Sequence, residues 1–410
     1  MATLHPFRAL RPRPADVARI ASVPYDVVST DEARDLAAGN PLSFLRVSRA
    51  EIELPASSDP YSAEVYARAA ANFATLRISA LELEREASVY FYRLRMGTHE
   101  QTGLAACFSI DEYDRDVIKK HERTRRDKED DRTRHMVAVR AQTGPVFLTY
   151  KASSDVDAIA ARAVAAEPLF DFTAPDEVQH TMWRVAGADR DALVAAFSRI
   201  PALYIADGHH RAASAARARA ELHDRQLAGE SLGDGADANT VLAVAFPHNQ
   251  MQILPYNRVV KDLAGLSPEA FLAAVEGAFT VAPGPATPAR AGDVAMYFQG
   301  QWRTLRPRVA PDKADPIGSL DVSVLQDRLL EPVLKIADVR TDKRIDFVGG
   351  ARGTAALERA VDEGRAAVAF SMFPVTVDDL IAVSDAGAIM PPKSTWFEPK
   401  LRDGLLIHVI

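Results

Sequence analysis

The sequence predicts a mixed chain of the α/β or α+β class. Short apolar runs of strand length alternate with longer helix-forming stretches along its whole length, and no internal repeat is present. At 410 residues the chain exceeds one ordinary core, so two domains are expected.

The first 30 residues read as extended segments, with prolines at 6, 12, 14 and 24. Residues 23–29 form a strand-and-turn phrase, after which a helix opens at Thr30 with Ser29 or Thr30 as its cap. Residues 61–76 carry a helical stripe at Val65, Ala69, Phe73 and Leu76. Residues 87–94 and 102–110 read as a hairpin turning at Met96-Gly97. Residues 111–135 hold 18 charged residues in 25, nine of each sign, which suits a solvated helix laced with i,i+4 pairs. Strands follow at 144–150, 181–186 and 203–206, then an Ala-rich helix from Arg211 and a polar, Gly-rich loop over 229–239. Residues 241–246 and 251–254 read as strands. Beyond 260 the texture changes. A helix at Pro268–Ala278, a Pro/Ala-rich linker at 283–288 and strands at Val294–Phe298 and 302–305 come next. The expected division is therefore 1–260 and 261–410.

Composition narrows the function. Hydrophobic residues are 48% and charged residues 26%, as in ordinary globular proteins. A net charge of −7 and a pI near 5.9 argue against a DNA-coating surface, so nucleic acid is not an expected partner. No apolar leader core and no run of about 18 apolar residues occurs, so neither a signal peptide nor a membrane span is expected. Cys107 is the single cysteine, which excludes an internal disulfide, a Cys-built zinc site and a redox pair; a cytoplasmic location is expected.

The chemistry concentrates in Ala206-Asp207-Gly208-His209-His210-Arg211. A strand that turns through glycine into a helix presents free backbone N–H groups, and with the helix dipole and an arginine these favour a phosphate. Asp207 and the two histidines add groups that move protons or hold a metal. The plainer alternative is a capped turn, with Asp207 as cap, Gly208 shaping the bend and the histidines bonded locally. A second cluster, Lys120-His121-Glu122-Arg123-Thr124 with Lys128 and Arg132, offers His121 and Glu122 as base or metal ligand and Lys128 and Arg132 as phosphate contacts; surface pairing is its plainer alternative. Pro24-Tyr25-Asp26 is a third, and Pro391 through Lys400 a fourth, in which Lys393 reaches an anion or the prolines and aromatics simply pack. Walker-type, Rossmann, G-x-S-x-G and H-E-x-x-H motifs are all absent.

Five motifs appear in order: Val-Pro-Tyr-Asp-Val, His-Glu-x-Thr, Ala-Asp-Gly-His-His-Arg, Gln-Ile-Leu-Pro-Tyr-Asn-Arg-Val-Val and Met-Pro-Pro-Lys-Ser-Thr-x-Phe. Together they resemble a large bacterial family catalogued as a domain of unknown function. The resemblance implies a ParB/sulfiredoxin-like N-terminal portion followed by a C-terminal α/β domain, and a relation to kinases of free serine. Sulfiredoxin carries a cysteine where His209 stands, so the reductase activity is not implied. ParB proteins carry helix-turn-helix segments with no counterpart here.

The expectation is a nucleotide-dependent phosphotransferase acting on a small hydroxyl substrate, with free serine implied by the resemblance. ATP or ADP binds at Asp207, Gly208, His209, His210, Arg211 and Arg132. Mg2+ is held through Asp207 or Glu122, and Glu122, Asp26, His121 and Lys128 serve catalysis. Two alternatives stand beside it. One is a nucleotide-binding regulatory or partner-binding module without phosphotransfer, and the other a metal-dependent hydrolase using His121, His209 and His210.

Overall fold

Hydrophobic strands need cover on both faces when they sit centrally in a sheet, and two segments show that demand most clearly. Val146–Tyr150 and Thr240–Pro247 are buried at every position. They lie side by side and parallel near the middle of a nine-stranded mixed sheet. In the computed structural model, which describes residues 1–230 and 237–410, the chain forms two compact units. Most of the loop expected over 229–239 lies outside the described residues.

The first unit comprises Met1–Met251 and Pro399–Ile410. Its sheet is built from β1 (Leu4–His5), β2 (Val89–Met96), β3 (His99–Ser109), β4 (Ile118–Lys119), β5 (Val146–Tyr150), β6 (Phe170–Thr173), β7 (Gln179–Val185), β8 (Leu203–Asp207) and β9 (Thr240–Pro247). The order is β4-β8-β5-β9-β3-β2-β7-β6, with β1 paired to β3. β2 and β3 are the expected hairpin, turning at Gly97, whose φ of +58° suits glycine. The helices are α1 (Thr30–Ala37), α2 (Ala63–Ser79), α3 (Arg126–Val139), α4 (Ser154–Ala163), α5 (Gly187–Phe197) and α6 (His209–Leu227). α1 starts at a capping box of Ser29 with Glu32. Ala212, Ala215, Ala218 and Leu222 of α6 join Val146, Leu148, Ile205 and Ala243 in the main core, so the Ala-rich face expected for this helix packs on the sheet.

The charged segment departs from its expected form. Residues 111–135 are not one helix: a short helix over Ile110–Asp114, β4, an extended stretch and the first part of α3 divide them. Apart from the near-neighbour pairs Arg125–Asp127 and Arg132–Asp131, their ion pairs run across to α6. Arg217 meets Glu129 and Asp130, and Arg219 meets Asp111 and Asp114. Sequence-local charge balance was satisfied by a neighbouring element, which i,i+4 counting does not see.

The second unit, Gln252–Glu398, holds a six-stranded antiparallel sheet of β10 (Tyr256–Val260), β11 (Phe279–Pro283), β12 (Val294–Phe298), β13 (Gln301–Pro307), β14 (Ile345–Gly349) and β15 (Val368–Met372), in the order β11-β13-β12-β15-β10-β14. Helix α7 (Pro268–Ala278) matches its expected bounds and packs Phe271 and Val275 into the core with Phe279 and Phe298. The units divide between Met251 and Gln252, and the last residues, Pro399–Ile410, belong to the first unit. Those residues are tied there by backbone: Ile407 pairs with Leu10, Asp403 with Ser22, and His408–Val409 with Ala141–Gln142. Among the described residues no helix is long and apolar enough to cross a membrane.

Candidate functional site

β8 slips register against β5 between Ile205 and Asp207, and this brings Asp207 to the end of the strand. Gly208 then takes φ +92°, a left-handed conformation that favours glycine and makes the strand-to-helix turn. α6 begins at His209. Its first helical bond runs from the Ala212 N–H to the Gly208 carbonyl at 3.0 Å, so the N–H groups of His209, His210 and Arg211 precede the ladder. The positive end of a 19-residue helix adds to them.

Asp207 faces inward to protein donors. One oxygen accepts the Gly208 N–H at 2.8 Å and the other accepts Lys400 Nζ at 2.8 Å. Burial alone would raise its carboxyl, but Lys400 and Arg211 hold it well below the usual carboxylate range.

His121, delivered by the stretch after β4, meets His209 edge to face with ring centroids 4.4 Å apart. Both rings are buried. The His209 Nε2 accepts the His121 N–H at 3.3 Å, which leaves the His209 proton on Nδ1, 3.8 Å from Glu122 Oε2. Burial pushes His121 down to about 4 and His209 well below its ordinary value, so both rings are neutral at neutral pH. Glu122 itself is 57% exposed. His210 accepts the Arg125 N–H at 3.0 Å.

Arg211 is buried and points from α6 toward the N-terminal segment. It donates to the Pro145 carbonyl at 2.9 Å and to Asp26 Oδ1 at 3.0 Å. Its guanidinium lies 5.4 Å from the Tyr25 ring centre, and that of Arg132 lies 4.2 Å from the same ring. Arg132 is also held by Asp131 at 2.7 Å. The structure thus brings Asp26, His121, Glu122, Arg132 and the residues from Asp207 to Arg211 into one region of the first unit. Lys128 turns elsewhere, with its ammonium 3.0 Å from the Tyr61 hydroxyl.

Two further residues belong to this region and were not among the expected ones. Lys400 closes on Asp207. Asp403 is buried with its Oδ1 lacking a hydrogen-bond partner, and burial pushes its carboxyl up to about 7, with Arg211 opposing and Asp26 adding. Gly144 permits that approach, since a Cβ there would stand 2.5 Å from Asp403 Oδ1. Lys400 sits at the end of the Pro391–Lys400 motif, whose second lysine was the available signal; no local signal marks Asp403.

Among the described residues, no group of three or more His, Cys, Asp and Glu side chains is arranged to hold a metal. Asp207 engages both oxygens with protein donors, so the set does not fit a resident magnesium ion as expected. Cys107 is buried in β3, where burial pushes its thiol well up, the reverse of a reactive thiolate.

The chain belongs to the family described as "Protein of unknown function (DUF1015)", whose model matches residues 4–323. No curated protein matches it. Among solved structures it is similar to a conserved hypothetical protein from Pyrococcus furiosus, at 13% identity and a TM-score of 0.36 over 74% of this chain and 95% of the other. It is also similar to SbnI with C-terminal truncation from Staphylococcus aureus, at 12% identity and 0.39 over 74% and 87%. A free serine kinase in complex with AMP matches at 12% identity and 0.35 over 73% and 92%.

Proposed function

We propose that the first unit is a nucleotide-dependent phosphotransferase acting on a small hydroxyl compound, with free L-serine, the acceptor implied by the motif resemblance, as the first candidate. The observation that carries the proposal is the arrangement at the head of α6. Three helix-start N–H groups stand beside the buried Arg211, itself bonded to Asp26 at 3.0 Å, and beside Lys400. Such a site holds polyphosphate through backbone donors and cations. Asp26 and Glu122 lie in the same region and offer carboxylates able to take up a hydroxyl proton.

In this proposal the phosphates of ATP or ADP lie on the N–H groups of His209, His210 and Arg211, and Arg211 and Arg132 offset their charge. The acceptor hydroxyl oxygen forms a bond to the terminal phosphorus as the bridging P–O bond breaks. The leaving nucleotide carries away the electron pair, and the hydroxyl proton passes to Glu122 or Asp26. His121 and His209, neutral and packed on each other, hold the turn and direct Glu122 rather than supply charge. In this reading the resemblance to ParB/sulfiredoxin-like proteins rests on the phosphate-holding turn, with His209 where sulfiredoxin has its cysteine.

The test joins binding to turnover. Calorimetry with ADP, ATP, CTP and pyrophosphate in magnesium should give saturable binding of a nucleotide that is lost in Arg211→Ala and weakened in Lys400→Ala. Incubation with L-serine should give a phosphomonoester signal by 31P NMR, retained binding and lost turnover marking Glu122→Gln if Glu122 is the base. Absence of binding by all four compounds overturns the proposal. Binding without product from any hydroxyl compound leaves a nucleotide-binding module instead.

A further inference from the structure

The second unit contains a buried cation with no anion of its own. Arg258, on β10, is 3% exposed. Its guanidinium donates to the Tyr256 carbonyl and to the Lys393 carbonyl, the latter at 3.1 Å, and its centre lies 5.5 Å from the Phe347 ring. Among the described residues no carboxylate pairs with it. Burial without a counter-charge is costly for an arginine, and it pulls this one down to about 10.

The surroundings concentrate positive charge further. Tyr256 and Arg258 are two residues apart on one strand and therefore share a face of the sheet. Lys393, whose carbonyl accepts from Arg258, sets a second cation over the Tyr256 ring, its ammonium 5.3 Å from the ring centre. It does so from a left-handed backbone, φ +56°, that a lysine adopts only under constraint. Trp396 meets Tyr256 edge-on at 5.2 Å, and a Cβ at Gly349, opposite Tyr256 in the pairing, would stand 3.1 Å from that indole. Two cations, one buried and one exposed, thus lie against aromatic rings. These are the residues of the Tyr-Asn-Arg-Val-Val and Pro-Pro-Lys-Ser-Thr motifs, which the proposed reaction in the first unit does not use.

The geometry points to a second anion site in this unit, in which Arg258 and Lys393 bind the phosphate or carboxylate of a small molecule beside Tyr256. A planar oxyanion suits the guanidinium fork, and the exposed lysine adds a point charge on its flexible stem. The proposal stands apart from the phosphotransferase reading, since it uses none of the residues at the α6 turn.

Trp396 supplies the readout. The full chain is titrated separately with pyrophosphate and with malonate at constant ionic strength, with chloride as the control, and indole fluorescence is followed. The expected result is a saturable change for one or both anions, absent in Trp396→Phe. In Lys393→Ala, whose side chain is exposed and whose loss leaves the core intact, the midpoint should rise at least ten-fold. Arg258→Lys should weaken it as well. The response should persist in Lys400→Ala, which separates this site from the turn. Preference between the two probes tells phosphate from carboxylate ligands. An equal response to chloride, or a midpoint unchanged in Lys393→Ala, overturns the inference, and a loss in Lys400→Ala with none in Lys393→Ala assigns the signal to the turn instead.

Discussion

Each unit buries an arginine, and the two are treated in opposite ways. Arg211 in the first unit has Asp26 at 3.0 Å and Asp403 in its field, and this pairing holds it firmly charged despite its burial. Arg258 in the second has, among the described residues, two carbonyls and the Phe347 ring but no carboxylate. A paired buried charge is part of a structure that depends on it; an unpaired one is poised for a ligand or for replacement. The contrast teaches where each unit keeps unfinished electrostatics: at the helix start in the first, at the guanidinium itself in the second.

The sharpest test of the contrast is replacement by methionine. Arg211→Met leaves Asp26 without its cation and should cost about 2–3 kcal/mol, kept to the low side because Asp26 is 40% exposed. Arg258→Met removes an uncompensated charge and should change stability by under about 1 kcal/mol in either direction. Urea unfolding of both variants decides it, and equal losses would break the comparison.

Acid should separate the units next. All ten histidines lie in the first unit. Burial lowers His121 and His135 to about 4 and His180 to about 3. Below about 6.5 the unfolded chain takes up protons that the folded rings refuse, so their stabilisation is complete above that pH and is lost as pH falls toward 4. Asp403, raised to about 7, acts with the opposite sign, stabilising in acid and fading as pH rises through 7, but it is one group against several. In the second unit Asp321, raised to about 6 mainly by burial, likewise favours acid. Calorimetric scans from pH 7 to 4.5 should show the transition reported by Trp183 falling in temperature and that reported by Trp302 and Trp396 holding. A common fall would remove the distinction.

A smaller effect is expected at the turn. Gly208→Ala meets only ordinary contacts, the nearest at 3.4 Å, so its cost is that of φ +92° alone, about 1–2 kcal/mol. Thermal unfolding measures it, and nucleotide binding should weaken with it. A neutral result would mean that the turn relaxes to a conformation open to any residue.

Much of the first unit was legible because its signals are local. The hairpin at Gly97, the cap at Ser29 and the strand–glycine–helix phrase at Asp207-Gly208-His209 each follow from neighbours in sequence. Tyr25 and Asp26 were visible as a motif, though their bond to Arg211, 185 positions away, was not. Asp403 stayed hidden, and Lys400 showed only as the end of a motif with no partner, since only the fold returns residues 399–410 to the first unit. The charged stretch misled because its partners lie on α6, and period counting within one segment has no access to another.

That return has a consequence for how the protein is made. Lys400 and Asp403 reach the α6 turn only after Gln252–Glu398 has been synthesised, and Leu10 pairs with Ile407 across nearly the whole chain. A ribosome-bound chain stopped anywhere within the second unit carries the glycine turn, both histidines and Arg211, yet lacks the lysine that answers Asp207. Contacts of such long sequence separation raise the contact order and so slow folding. The surroundings of Asp207 are therefore complete only in molecules whose synthesis has passed residue 403.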